Sequence, residues 1–370
     1  MTNEGITYAS AGVDTAAGDR AVELMKSAVA RTHGPEVLGG IGAFAGLYDA
    51  SALTAYKRPL LASSTDGVGT KIVIARALDI HDTIGKDLVA MVVDDIVVCG
   101  AKPLVMTDYI ACGKVVPERI ADIVRGIAEG CELAGTALVG GETAEHPGVM
   151  EPDDYDVAGA AIGVVEADAL LGPEKVREGD VVVAMASSGL HSNGYSLVRR
   201  VVAHAGWSLE TPLAELGRTV GEELLEPTRI YAQLCVDMAA SIPGLHAFSH
   251  VTGGGLGANV ARVMPAGLAA HVARDAWDLP AVFAAVQSAG AVPWGDLEAT
   301  LNMGVGMVAI VSADDADALM AASQAAGVDA WALGEVTVDD GRAASADVVR
   351  GGKGVHGGAV YLSGGYRASN

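Results

Sequence analysis

Asp66-Gly67-Val68-Gly69-Thr70-Lys71 joins an apolar run, residues 59–64, to a segment with helical apolar spacing, residues 70–78. This order predicts a strand, a tight turn and a helix, which is the repeating unit of an α/β fold. The two glycines let a ligand approach the backbone, and the helix start offers free N–H groups. Asp66 is suited to a divalent ion and Lys71 to a phosphate. A tight turn with a surface lysine explains the same residues equally well.

Length and patterning predict two domains. A chain of 370 residues exceeds the usual size of one core, and 51% hydrophobic residues are enough for two. The apolar and glycine-rich segments repeat the same strand–loop–helix logic in both halves. We expect an N-terminal domain over residues 1–170, a C-terminal α/β domain over residues 171–340, and a flexible glycine-rich tail over residues 341–370.

The net charge and the N-terminal sequence predict which partners this protein has and where it is located. A formal net charge of −22 repels nucleic acid and anionic membranes, so neither is expected as a partner. A phosphate site must therefore rely on local N–H groups, helix starts and a few placed cations. Four cysteines without CxxC spacing and an N-terminus without signal features predict a cytoplasmic protein with reduced thiols.

Two adjacent acids, Asp94 and Asp95, interrupt an apolar run. Carboxylates are costly to bury unless they are paired or bind a cation, and Mg²⁺ prefers such oxygen ligands. We therefore favour a metal site to which Asp66 and Asp108 lie close. A solvated edge or a carboxylate that caps a backbone turn is the alternative.

Three further loops carry polar groups beside glycines. Gly140-Gly141-Glu142-Thr143 follows a short apolar run and places a carboxylate where ligands gather at a sheet end, although acids at a helix start give the same pattern. His191 and Asn193 lie in the donor-rich loop 187–194, which suits a phosphate or an amide oxygen. Three glycines, residues 253–255, indicate either close approach of a ligand or a crowded domain interface.

In this order, the motifs resemble those of the phosphoribosylformylglycinamidine cyclo-ligase (AIR synthetase) family. The similarity covers about residues 5 to 340. It rests on residues 8–14, 35–42, 66–71, 81–85, 140–145, 154–159, 191–199, 226–231 and 252–255. One departure is Asp94, because Asn is usual in the family before the acid at position 95.

The resemblance implies a reaction and an assembly. In this family ATP drives the closure of formylglycinamidine ribonucleotide to aminoimidazole ribonucleotide (AIR), with release of ADP and phosphate. ATP phosphorylates the formyl amide oxygen, and a nitrogen then attacks the activated carbon. The implied fold is the two-domain α/β (α+β) AIR-synthetase-like fold, as a homodimer whose N-terminal domains share an intersubunit β-barrel. The implied cofactors are ATP and Mg²⁺, with a need for K⁺ left open.

The resemblance also assigns residues. Catalytic roles are expected of His191, Asn193, Lys71 and Asp95, and metal ligation of Asp66, Asp95 and Glu142. Nucleotide or phosphate binding is expected of Lys26, Gly39, Gly40, Gly42, Asp66, Gly67, Gly69, Thr70, Asp108, Gly140, Gly141, Glu142, Thr143, Gly253, Gly254, Gly255 and Asn302.

Other enzymes that use ATP on the same fold fit less well. Selenophosphate synthetase normally needs a reactive Cys near the N-terminal glycine-rich loop, and the first cysteine here is Cys99. The amidotransferase that precedes this step would need a far longer chain or separate subunits. A non-catalytic ATP-binding regulator would have lost some of the acids or His191, and all are present.

Overall fold

The computed structural model describes residues 12–351 and 357–368. The first half contains helices α1 (Thr15–Arg31), α2 (Ile72–Leu78), α3 (Thr83–Val97) and α4 (Pro117–Ala134), with strands β1 (Val37–Leu38), β2 (Leu47–Tyr48), β3 (Pro59–Gly67), β4 (Lys102–Cys112), β5 (Ala137–Glu145) and β6 (Tyr155–Glu166). The second half contains helices α5 (Tyr195–Ala205), α6 (Val220–Leu224), α7 (Ala232–Ser241), α8 (Gly255–Ala261), α9 (Ala281–Gly290), α10 (Trp294–Glu298) and α11 (Ala316–Ala325). Its strands are β7 (Val181–Ala186), β8 (Pro212–Leu213), β9 (Arg218–Thr219), β10 (Leu245–His250), β11 (Leu268–Ala273), β12 (Asp278–Leu279), β13 (Val305–Val311), β14 (Ala330–Val338), β15 (Val348–Arg350), β16 (Ala359–Ser363) and β17 (Arg367–Ala368).

The first half is a four-stranded sheet with helices on one face. The strand order is β3-β6-β4-β5, antiparallel except for the parallel pair β4 and β5. Helix α3 packs on β3 and β6, and α4 packs on α3 and α1. The prediction of a strand, a turn and a helix around residue 66 is confirmed. The strand β5 is longer than expected and includes Gly140–Glu145, so these residues extend a strand instead of following one.

The second half is a seven-stranded mixed sheet in the order β10-β13-β7-β14-β11-β16-β15. Its strand β13 is buried at every position, as the uninterrupted apolar run predicts. One continuous cluster of buried apolar side chains extends through both halves. The buried face of α3 contributes to that cluster, and α7 packs against α3 and α4.

The prediction of a flexible tail is wrong for the described residues beyond 341. Strand β16 pairs in parallel with β11 and antiparallel with β15, and Val360 is fully buried. The glycines mark turns around a short apolar strand, Ala359-Val360-Tyr361-Leu362, and this strand supplies the burial that the glycine count concealed. Residues 352–356 and 369–370 of the predicted tail lie outside the described residues.

Helix α3 places a row of side chains against the C-terminal half. Asp87, Met91 and Asp94 are spaced four and three residues apart and therefore lie on one side of the helix. A carboxylate oxygen of Asp87 accepts the backbone N–H of Thr228 at 2.7 Å. The carboxylate of Asp94 accepts the backbone N–H of Tyr231 at 3.1 Å. This helix face fixes one half of the molecule against the other.

The other face of the first sheet is open in this chain. Leu61, Tyr109 and Ile162 are 65%, 42% and 41% exposed. The strand register puts them on the same face, opposite the helices, because Ile162 pairs with Ser63 and with Val105. An apolar sheet face without a covering layer is typical of an interface. The intersubunit barrel itself stays a prediction.

Across the described parts of the chain, no helix combines the length and the apolar composition that a membrane span requires.

We predict that Val360→Asp lowers the free energy of unfolding by about 3 kcal/mol or more, because it places an unpaired carboxylate inside the second sheet. Urea unfolding followed by circular dichroism measures this loss. Ser363→Asp is the matched control, since Ser363 ends the same strand and is exposed. Equal stabilities of the two variants would mean that the tail does not belong to the core.

Candidate functional site

A transverse row of residues crosses the first sheet. Asp66 of β3 and Asp108 of β4 both pair with Gly159 of β6, and Asp108 pairs with Gly141 of β5. Directly paired residues point to the same face, so both carboxylates point toward the helices. Neighbouring strands lie about 4.8 Å apart, which puts the two acids roughly 10 Å from each other.

A cavity of about 300 Å³ opens between α1, the loop 37–47 and β5. Eight of the residues predicted to bind nucleotide line it: Gly39, Gly40, Gly42, Asp108, Gly140, Gly141, Glu142 and Thr143. We call this space the loop cavity. Much of its remaining lining is apolar, with Val22, Met25 and Leu138 among the contributors. Its size and mixed lining suit a small organic group.

Asp108 is held against the floor of the loop cavity. A side chain at position 141 would displace its carboxylate, so Gly141 leaves the room that Asp108 occupies. Burial raises the pKa of Asp108 to about 7, and only its own backbone N–H opposes this rise. Asp108 keeps some accessible surface because it lines the cavity, but protein surrounds it on its other sides.

The three carboxylates predicted to hold a metal do not converge within one chain. Glu142 pairs with Tyr109 and therefore lies on the open face of the sheet, whereas Asp66 points toward the helices. Three strand spacings, about 14 Å, also separate β5 from β3. Within residues 12–351 and 357–368, no group of three His, Cys, Asp or Glu side chains is placed to bind an ion. Metal ligation by Asp66, Asp95 and Glu142 stays a prediction, but Glu142 does not join Asp66 at one ion within a single chain.

A second site lies where β3 and α3 meet the loops of the C-terminal half. Its most constrained residue is His191, which is buried and has φ of 60°, in the left-handed region. The Nε2 atom of His191 accepts the backbone N–H of Ser188 at 3.1 Å. A neutral imidazole with that acceptor carries its proton on Nδ1. This Nδ1 is buried and has no partner among the described residues.

Electrostatics keep His191 neutral. Burial is the largest cause that lowers its pKa well below the ordinary value, and the charges of His250, Lys71 and Arg229 lower it further. His191 is thus a fixed N–H donor at neutral pH and not an acid. A buried donor without a partner is rare in folded proteins and suggests a ligand atom in front of it.

The sequence reasoning missed His250, which ends β10. Its Nδ1 lies 2.9 Å from Oδ1 of Asp95, and its buried Nε2 has no partner in the described parts of the chain. Burial alone would lower its pKa, but the hydrogen bond to Asp95 and the charges of Asp94, Asp95 and Asp66 raise it overall. The available signal was a histidine at the end of an apolar strand, separated by two residues from the glycines 253–255.

Asp94 and Asp95 have different surroundings, although they are neighbours in sequence. Asp95 is partly exposed and pairs with His250. Asp94 is fully buried and accepts the backbone N–H of Tyr231. Burial raises the pKa of Asp94 to about 7, against the opposing effects of His250 and the Tyr231 N–H. For Asp94 the alternative interpretation, a carboxylate that caps a backbone turn, is therefore confirmed.

Lys71 does not face a phosphate site. Its side chain is fully buried, and its ammonium group contacts Oδ1 of Asp87 at 2.8 Å, the carbonyl of His191 at 3.1 Å and the carbonyl of Glu226 at 2.6 Å. All three of its N–H bonds are used. The expectation that Lys71 neutralises a phosphate is wrong, and so is the alternative of a surface lysine.

Two family models and a group of named relatives match this chain. The family model for the AIR synthase related protein N-terminal domain matches residues 48–165, and the model for its C-terminal domain matches residues 177–346. A phosphoribosylformylglycinamidine cyclo-ligase from Desulfitobacterium hafniense is 50% identical over 333 residues, which are 90% of this chain and 97% of the relative. The chain belongs to the phosphoribosylformylglycinamidine cyclo-ligase family.

Solved structures show that the fold is shared more widely than the family. A thiamine-monophosphate kinase from Stenotrophomonas maltophilia is similar with a TM-score of 0.66 and 19% identity, over 94% of this chain and 96% of that chain. The hydrogenase maturation protein HypE, solved in complex with ATP, gives a TM-score of 0.61 at 17% identity, over 87% of each chain. At these identities the likeness supports the fold alone.

Asn193 and the glycines 253–255, which the family resemblance also predicted, have different roles. Gly253 and Asn193 adjoin each other at the second site, since a side chain at position 253 would come within 3.4 Å of Oδ1 of Asn193. Gly255 has a packing role instead, because the carbonyl of Glu298 lies where its side chain would be. Gly254 needs its positive φ of 108°.

Three other expected residues act locally. Asn302 donates to the carbonyl of Gly189 at 2.9 Å and thereby holds the loop that carries His191. Thr70 lies 3.3 Å from the hydroxyl of Ser196. Lys26 is exposed and pairs with Glu23, and it is not among the residues that line the loop cavity. Gly67 and Gly69, which flank the turn after Asp66, stay candidates for nucleotide contact.

We predict that Asp94→Asn stabilises this cyclo-ligase family member at pH 8 and much less at pH 5. The carboxyl group titrates near pH 7 when folded and near pH 4 when unfolded, so the folded state retains a proton that the unfolded state loses between these values. Stability from this group therefore falls as the pH rises. Asparagine keeps the acceptor for Tyr231 without that loss.

The expected gain at pH 8 is on the order of 2 kcal/mol in the free energy of unfolding. Chemical unfolding at both pH values measures it. Asp122→Asn, which replaces a more exposed acid that pairs with Arg125, serves as the control. A gain of equal size at pH 5 and pH 8 would contradict the raised pKa of Asp94.

Proposed function

We propose that this chain catalyses the ATP-dependent cyclisation of formylglycinamidine ribonucleotide to AIR, in purine biosynthesis. The carrying observation is the unpartnered N–H of His191, a buried neutral donor at the junction of the two halves. Such a donor suits an oxygen atom that becomes negatively charged, or that receives a phosphoryl group, during a reaction. The family relationship supplies the substrate, because the relatives that cover this chain are named for that reaction.

In the proposed reaction, His191 donates from Nδ1 to the formyl amide oxygen of the substrate. The γ-phosphoryl group of ATP is transferred to that oxygen, and ADP leaves. The substrate nitrogen then attacks the same carbon, the C–O bond breaks, and phosphate departs with the oxygen. A positioned donor that does not ionise stabilises the charge without losing its proton to the reaction.

We place the nucleoside of ATP in the loop cavity, with its phosphates extending toward Asp66. The eight expected nucleotide-binding residues that line this cavity support the placement. Gly39, Gly40 and Gly42 then lie over the nucleoside. Mg²⁺ enters with ATP as part of the substrate, and Asp66 and Asp95 are its candidate contacts in the same neighbourhood as His250.

We also propose that the chain works as a homodimer in the cytoplasm. The open apolar face with Leu61, Tyr109 and Ile162 supports a second copy at that surface. Glu142 lies on the same face, so the dimer interface and the edge of the loop cavity would adjoin. The phosphorylated substrate is small, and no nucleic acid or membrane has a role in this proposal.

The assay for this function uses purified protein, formylglycinamidine ribonucleotide and Mg-ATP. We expect AIR and ADP in equal amounts, with product formation that depends on both substrates. Hydrolysis of ATP without AIR would overturn the assignment.

A variant at His191 tests the proposed donor. We predict that His191→Gly lowers kcat at least about 100-fold, which corresponds to the loss of one well-placed donor, in protein that still folds. Glycine is chosen because it adopts the left-handed backbone at this position and has no side-chain donor. A near-normal kcat, or a loss of activity that follows the loss of folded protein, would contradict the role of His191.

A variant on the open face tests the dimer. We predict that Leu61→Lys converts the protein to monomers, because it puts a charge on the apolar face of the first sheet. Analytical ultracentrifugation measures the mass. Val338→Lys is the control, since Val338 is 58% exposed at the end of β14 in the other sheet. A monomeric wild type, or a dimeric Leu61→Lys variant, would refute this interface.

A further inference from the structure

Lys71 and Asp87 form a fully buried ion pair that the sequence motifs did not predict. Asp87 Oδ1 also accepts the backbone N–H of Thr228 at 2.7 Å and its hydroxyl at 2.6 Å. A buried ion pair rarely stabilises a fold more than apolar side chains of equal volume would, because both charges lose their hydration. Its presence here therefore needs an explanation other than stability.

The contact between Lys71 and the loop that carries His191 gives that explanation. The ammonium group donates to the backbone carbonyl of His191, 120 residues away in sequence. His191 is one of four described non-glycine residues with a positive φ, and such a conformation persists only where neighbouring contacts enforce it. Ser192 adds a second link, because its hydroxyl donates to the carbonyl of Val68 at 3.1 Å.

The imidazole is fixed from the other side of the same loop. The Ser188 N–H holds Nε2, while Asn302 holds the carbonyl of Gly189. Separate groups thus hold the backbone of His191 and its ring. Only the Nδ1–H is left to donate to a ligand. Releasing the carbonyl of His191 would let the residue relax toward an ordinary backbone conformation and turn that N–H away.

We propose that Lys71, held by Asp87, is a positioning residue that fixes the backbone of His191 and so aims its Nδ1–H at the reacting oxygen. This inference rests on the proposed function of His191. It changes the role of the segment 66–71. Asp66 and the glycines at its start face the nucleotide, whereas the lysine at its end extends beneath the loop of the other domain.

The test uses the double variant Lys71→Met/Asp87→Asn. It removes both charges together, so no uncompensated buried charge remains, and the amide oxygen introduced at position 87 can still accept from Thr228. We expect kcat to fall at least about 30-fold, which is less than the expected loss for His191→Gly, with KM values for ATP and substrate within about threefold of wild type. Asp180→Asn is the matched control, because Asp180 is a buried carboxylate paired with His246 at the opposite end of β10.

Two readouts separate positioning from a purely structural role. In the His191→Gly background, where no side-chain donor remains, the double variant should lower kcat less than about threefold further, since Lys71 acts through the His191 ring. An undiminished loss in that background would overturn the proposal, as would activity losses that follow the folded fraction in both the double variant and Asp180→Asn.

The ¹⁵N shifts of the His191 ring provide a readout that does not depend on activity. We expect the Nδ1–H tautomer in wild type and a mixture of tautomers in the double variant. An unchanged tautomer and ring environment would overturn the positioning role even if kcat fell. A wild type that makes no AIR, combined with the expected tautomer change, would refute the proposed function and leave the positioning role intact.

Discussion

The carboxylates of α3 that accept N–H groups from the C-terminal half are the constraint on which the site depends. Asp87 accepts from Thr228 and Lys71, and Asp94 accepts from Tyr231. These acids lie inside the molecule, where an unpaired carboxylate would be strongly unfavourable. The residues that donate hydrogen bonds to these carboxylates belong to segments beside the loop that carries His191. The burial of this helix face therefore determines where that loop lies.

The two candidate sites follow from this arrangement. The sheet of the first half connects them, because one row of paired residues extends from Asp66 to the floor of the loop cavity. His250 and the neutral donor His191 belong to the C-terminal half, and His250 pairs with Asp95 of α3 in the first half. The charge of His250 helps to keep His191 neutral, so two histidines close together have opposite pKa shifts. This contrast is the kind of environment in which catalytic groups occur.

Local sequence patterns predicted the secondary-structure elements well and the side-chain contacts poorly. Apolar spacing located β3 and α2 on either side of the turn after Asp66, since each depends on a periodic apolar face. The roles of Lys71 and Asp87 were out of reach, because a lysine beside glycines reads as a phosphate ligand until its three partners are known. The family resemblance grouped Asp66 and Glu142 as metal ligands, but strand alternation puts them on opposite faces of the sheet within one chain. His250 was missed because its partner Asp95 is 155 residues away.

The most direct test of this account is native-state hydrogen exchange at the amides of Thr228 and Tyr231, measured by NMR. Both belong to the C-terminal half, yet both donate to carboxylates of α3. We predict that they exchange with the same opening free energy as the central amides of α3, because one cannot open without the other. Exchange at these two amides that is much faster than in α3, with the protein fully folded, would contradict the claim that this helix face fixes the site.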